Sequence, residues 1–168
     1  MYFPKTKEEL EQRREECLRL VSRRSLLSGM AAAVPIPGID ISADMAIMAE
    51  LLGKINLQFG LSEKQIEDLD IERKKILLVI ISSAGNELVG KTVTAALVRN
   101  LLKKTSNKII AKQAGKFLPI IGQAASAGIS FAAMNYLGRN HVEQCYQIAL
   151  QYMQQIDTRY TDDVIDIN

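Results

Sequence analysis

Apolar residues recur along this chain at spacings of three, four and seven, and strict alternation is almost absent. That is the period of helices with one face turned inward. The first such stretch runs from Thr6 to Val34, with Leu10, Cys17, Leu18, Val21 and Leu27 on its apolar face. Thr6 is placed to cap it, and Glu8, Glu9 and Glu11 lie near its start, where carboxylates meet the positive end of the helix dipole. Pro35-Ile36-Pro37-Gly38 stops it, because Pro37 has no amide proton and Pro35 pushes Val34 out of helical geometry. A second helix is predicted from about Asp40 to Phe59, ended by Gly60. Ser62 and Asp70 then read as caps, the first of a short helix through Leu69 and the second of a helix from Ile71 to about Asn86. Within the latter, the six apolar residues Ile76 to Ile81 suit a buried strand as well as a buried helix. With no second strand in the sequence to pair with, a buried helix is expected.

Further helices are predicted over roughly Glu87 to Lys104, from Ser106 to just before Pro119, over Ile121 to Leu137 and over Asn140 to Ile156. The expected fold class is all-α: a single domain over residues 1–156, built as a compact bundle of about six to seven helices, with a flexible acidic tail over 157–168. One internal echo bears on its symmetry. Val34-Pro35-Ile36-Pro37-Gly38 followed by Ser42-Ala43 aligns, at a constant offset of 84, with Leu118-Pro119-Ile120-Ile121-Gly122 followed by Ser126-Ala127. Either shared helix-start chemistry repeats by chance, or the bundle is pseudo-symmetric, with two Pro-Gly breaks feeding two central helices.

Composition supports helices over sheets: 48% of the 168 residues are apolar but only 5% aromatic, with no Trp and four Pro. Such a chain buries a core of one domain's size, which excludes a disordered or fibrous protein. Two cysteines, Cys17 and Cys145, exclude a disulfide-stapled scaffold and fit a reducing compartment. The N-terminus runs from Met1 straight into Glu8, Glu9 and Glu11 without the basic and apolar regions of a secretory signal, so a cytoplasmic location, peripheral to a membrane at most, is expected.

Charge changes the picture more than composition does. The net value of +2 is the balance of −2 over residues 1–87, +8 over 88–142 and −4 over 143–168, and the middle block holds eight Lys or Arg and no Asp or Glu. Within it Arg99, Lys103, Lys104, Lys108, Lys112 and Lys116 recur about every four residues, as a basic stripe on a helix or helical pair would. An anionic membrane surface or an acidic protein partner fits such a stripe; a solvated face compensated by the acidic tail is the plainer reading. Nucleic acid is not expected, because no aromatic residues interleave with the lysines. Phe117 to Gly138 spans 22 residues without a charge. That is membrane-span length, but Pro119, Gln123, Ser126, Ser130 and Asn135 make it a poor span, and its small residues at four-residue spacing serve a tight core equally well.

Gly85 to Thr92 matches G-x-x-x-x-G-K-[ST], which would give Lys91 to phosphates and Thr92 to Mg²⁺. The match is rejected, since Glu87, Leu88 and Val89 place an anion and two bulky side chains where backbone amides must turn inward, and no strand–helix alternation surrounds it. His141 and Cys145, four apart, could supply two metal ligands, too few for a site with no other His and one other Cys. No nucleophile–base set is apparent, and neither a metal nor a cofactor is expected.

Residues Ala31 to Gly60, with Ala31-Ala32-Ala33-Val34-Pro35-Ile36-Pro37-Gly38-Ile39-Asp40 at their start, together with Lys116-Phe117-Leu118-Pro119-Ile120-Ile121-Gly122 and the small-residue helix after it, resemble a family. It is the helical domain attached to certain Era-like and interferon-inducible immunity-related GTPases, with a related segment in bacterial YcjF-like membrane-associated proteins. The resemblance covers about Ala31 to Ala149. It implies an all-α fold found beside GTPase domains and often at membranes. This chain departs from the GTPase members in having no GTPase domain, so nucleotide hydrolysis is not carried over. A non-enzymatic module, docking through Arg99, Lys103, Lys104, Lys108, Lys112 and Lys116 and able to self-associate, is therefore expected. The alternatives are a bacterial membrane-disrupting effector or its neutralising partner, with residues 117–138 inserting, and a nucleotide-binding protein using Gly85 to Thr92.

Overall fold

The computed structural model describes residues 3–32, 41–85, 88–101 and 123–165. The protein is all-α, with no strand among these residues. Its helices are α1 (Lys7–Ala32), α2 (Ile41–Gln58), α3 (Glu63–Glu67), α4 (Ile71–Ala84), α5 (residues 95–101) and α6 (Gln123–Ile165). Both Pro-Gly breaks lie outside the described residues, yet α2 and α6 start within three residues after them.

Local chemistry sets most boundaries. The Thr6 hydroxyl accepts from the Glu9 amide at 3.2 Å, capping α1. At the end of α2 the Leu61 amide reaches back to the Asn56 carbonyl at 2.8 Å and the Gly60 amide to Leu57 at 3.3 Å, with Gly60 at φ +75°. This pairing is a Schellman closure, which needs a left-handed residue where Gly60 stands. Ser62 and Gln65 form a capping box at the start of α3, the Ser62 amide donating to Gln65 Oε1 at 3.1 Å. Asp70 accepts from the Arg73 amide at 2.9 Å to start α4, and Gly85, at φ 61°, ends it.

Three expectations are corrected. The apolar run in α4 is helical but buried on one side only: Ile76, Leu77 and Ile80 are inside, while Leu78 and Val79 are exposed. The helix expected from Glu87 starts at residue 95 instead. Leu88 and Val89 drop into the core, Gly90 turns at φ +72°, and Thr94 caps the new start through the Leu97 amide at 3.3 Å. Third, the two helices expected over 121–137 and 140–156 are one continuous helix, α6, which runs on to Ile165. Gly138 does not stop it. A Cβ there would meet Val21 Cγ1 at 2.8 Å, so the glycine marks a close approach of α6 to α1.

The chain groups into two compact units. One comprises Met1–Cys17, Gly53–Thr92 and His141–Asn168. Its buried side chains include Leu10, Phe59, Leu61, Leu77, Leu88, Val89, Ile148 and Tyr152. Phe3 seats edge-on against Tyr152, ring centroids 4.6 Å apart, and covers Gly60 so closely that a Cβ there would lie 2.7 Å from its ring. The other unit comprises Leu18–Leu52 and Val93–Asn140, with Val21, Met48, Leu52, Val98, Met134 and Leu137 buried.

Candidate functional site

Of the six basic residues singled out, Arg99 is described, and it is exposed on α5. Lys103, Lys104, Lys108, Lys112 and Lys116 lie outside the described residues, as do residues 117–122 of the uncharged segment. The rest of that segment lies within α6, where Met134 and Leu137 are buried and Tyr136 is exposed. No helix is long and apolar enough to cross a membrane among the described residues.

In the phosphate-loop match, the described residues 88–92 turn backbone and side-chain groups to the protein itself. The Gly90 amide donates to the Leu61 carbonyl at 3.1 Å, the Leu88 carbonyl accepts from Asn56 Nδ2 at 2.9 Å, and the Leu88 and Val89 side chains are interior. A nest for phosphate requires successive amides facing an open concavity. Here one of them is spent on the protein itself, and the Thr92 hydroxyl donates to the Glu63 carboxylate.

His141 and Cys145 do meet, but the third member of their cluster is Asn56 of α2. His141 Nε2 lies 2.9 Å from Asn56 Oδ1, and Cys145 Sγ lies 3.5 Å from the same oxygen and 3.6 Å from Nε2. Because Asn56 Nδ2 donates to the Leu88 carbonyl, its Oδ1 is the acceptor, which makes His141 Nε2 the donor to it. The Cys145 thiol donates to the same oxygen. All three residues are buried, and burial pushes the Cys145 thiol well above its ordinary range, so it stays protonated. A neutral thiol sharing an acceptor with the imidazole is not an activated nucleophile. Among the described residues no group of three His, Cys, Asp or Glu side chains gathers as metal ligands. What this cluster does is tie α2, α6 and the 88–90 turn together. Asn56 was legible as an amide on a helix whose neighbours at Leu52, Ile55 and Phe59 are core residues, but nothing in sequence named its partners.

A second polar group lies nearer the surface. The Arg14 guanidinium grips Glu143 through Nε at 2.9 Å and Nη2 at 2.7 Å and lies 5.2 Å from the Tyr146 ring centroid. The Tyr146 hydroxyl donates to Glu11. The Glu143 hydrogen bond holds the Arg14 pKa above its ordinary value, and the Glu11 bond does the same to Tyr146. Beside Glu143 an open groove of about 290 Å³ runs between Ser83 and Ala84 of α4 and Gln144, Gln147 and Ile148 of α6.

Compared with known proteins, the chain is 26% identical over 133 residues to the interferon-inducible GTPase 5 of Bos taurus, and 26% identical over the same length to that of Rattus norvegicus. Each match covers 76% of this chain and 28% of the relative, so the chain spans little more than a quarter of the length of the curated relatives it matches. No protein-family model and no solved structure matches it.

Proposed function

We propose that this chain is a non-enzymatic helical module, of the kind that accompanies GTPase domains, which docks on an anionic membrane surface through its basic block. The carrying observation is the run from residue 88 to 142, with eight bases and no acid, in which Arg99 is exposed. Lys103, Lys104, Lys108, Lys112 and Lys116 complete the stripe. Near an anionic surface each base contributes about 1 kcal/mol, so a few together hold a protein at low salt and release it as salt screens them. The likeness to the interferon-inducible GTPase 5 supports a GTPase-associated role, since the matched region leaves most of that protein's length for other parts.

Co-sedimentation with vesicles tests the reading. The chain is expected to pellet with phosphatidylserine-containing vesicles and not with neutral ones, and Lys108→Glu with Lys112→Glu should weaken binding at least about tenfold, from two lost contacts of roughly 1 kcal/mol each plus repulsion. Failure on both vesicle types at low salt overturns it. Release of an entrapped dye would instead favour the membrane-disrupting alternative.

A further inference from the structure

We infer that the face shared by the second half of α1 and the first part of α6 is a membrane contact. In it Leu26 and Tyr136 enter the interface of an anionic phospholipid bilayer while Arg23 and Arg139 meet its phosphates. The inference rests on the membrane reading above and deepens it, adding an apolar contact to the basic block.

Leu26 and Tyr136 are two large apolar residues left in solvent, each 57% exposed. The contact that brings them together is Arg139 Nη1 on Ser22 Oγ, at 3.5 Å. Leu26 follows Ser22 by four residues and Tyr136 precedes Arg139 by three, so each shares a helix side with its neighbour. The two helices run antiparallel, since Arg14, before Ser22 on α1, pairs with Glu143, beyond Arg139 on α6. One turn away from the Ser22 contact, Leu26 and Tyr136 therefore stand at the same level on the same side of the helix pair. Arg23 is exposed next to Ser22, and Arg19, also exposed, lies one turn before it.

The charge around this face has one sign. Neither 18–32 of α1 nor 123–140 of α6 contains an Asp or Glu. The compact unit that holds both stretches, Leu18–Leu52 with Val93–Asn140, carries ten Lys or Arg against three Asp or Glu. Its net charge is +7, and that of the rest of the chain is −5. Arg99, Lys103, Lys104, Lys108, Lys112 and Lys116 belong to the same unit.

That chemistry selects the occupant. A bilayer of anionic phospholipid presents a layer of phosphates with an apolar layer directly beneath it. Leucine loses water by entering the second, tyrosine leaves its hydroxyl at headgroup level, and arginine lays its stem along the boundary with the guanidinium on phosphate. A nucleic acid backbone offers the phosphates but no apolar layer for Leu26.

The chain contains no tryptophan, so a single one placed in this face reports its surroundings. On phosphatidylserine-containing vesicles, Leu26→Trp and Tyr136→Trp should each shift their emission to the blue and be quenched by lipids brominated on the upper acyl chain. Val79→Trp, at an exposed position of α4 in the other unit, should do neither. Arg23→Glu with Arg139→Glu should weaken vesicle binding at least about tenfold. All of these sites are exposed, so the far-ultraviolet circular dichroism should not change. Vesicle binding with the tryptophans at 26 and 136 still in water, or indifferent to the double charge reversal, overturns this inference alone. It would leave docking through the basic block in place and this face to a protein partner. Failure of the unsubstituted chain to bind these vesicles at low salt overturns both.

Discussion

Glycine in the middle of a helix ordinarily weakens it, and replacing it with alanine gains about 1 kcal/mol. Gly138 should behave in the opposite way. A methyl added there would lie 2.8 Å from Val21 Cγ1 and 3.1 Å from Cγ2, well inside the roughly 3.5–4.0 Å at which carbon atoms attract. Val21 is fully buried, and as a β-branched residue inside α1 it has one strongly preferred rotamer, so it cannot swing aside without strain. Overpacking of this kind costs about 1–3 kcal/mol, which cancels the helical gain and leaves Gly138→Ala less stable by up to about 2 kcal/mol. For a chain of this length that lowers the melting temperature by up to about 8 °C. Val21→Ala removes two buried methyl groups, about 1.5 kcal/mol of transfer energy before any cavity cost, but it also makes room for the new methyl. The double variant should therefore be more stable than the sum of the two single effects implies, by about 1–2 kcal/mol. Urea unfolding followed at 222 nm on all four proteins measures the cycle. A rise in stability with Gly138→Ala alone, or strict additivity in the double variant, would refute the close approach of α6 to α1 at this point.

Two further outcomes follow from the buried groups. Asn56→Leu removes three buried hydrogen bonds, the one to the Leu88 carbonyl and those from His141 and Cys145, at about 1 kcal/mol each. Urea unfolding should show a loss of about 3 kcal/mol or more; a loss below about 1 kcal/mol would mean the cluster carries little of the fold. Alkaline stability should report the thiols. Burial pushes Cys17 to about 11 from its ordinary 9.0, so the unfolded chain releases this proton first, and stability is intact below pH 9 and declines as pH rises toward 11. Comparing urea midpoints at about pH 8 and pH 10.5 for the wild type and Cys17→Ser checks this, the variant being expected to decline less. Equal slopes would show that the thiol titrates normally.

The caps of α1, α3 and α4 and the glycine that closes α2 were legible because each is written in a few adjacent residues: a hydroxyl or carboxylate two or three residues ahead of the amide it accepts from, or a glycine where the backbone must turn left-handed. Gly138 beside Asn140 carries the same signature as a helix end. Nothing local distinguishes a glycine that ends a helix from one that lets another helix approach, since the difference lies in Val21, more than a hundred residues away. Leu88 and Val89 misled in the same manner. They look like helix-forming apolar residues, but a core far along the chain takes up their side chains, and the helix waits until Thr94.

The candidate site divides along the same line. The basic block, its lack of acids and the exclusion of a phosphate loop on steric grounds came from residue identity, because charge and bulk belong to the residue wherever it stands. So did the all-α class, since helical period is a property of neighbours in sequence. Tertiary structure alone decided that His141 and Cys145 share the Asn56 oxygen as their acceptor and that the Cys145 thiol stays protonated, because hydrogen-bond partners 85 and 89 residues apart leave no mark on sequence spacing. It also decided which side of the run from Ile76 to Ile81 is buried. Six apolar residues in a row have no preferred face of their own, and only the packing of α4 left Leu78 and Val79 turned toward solvent.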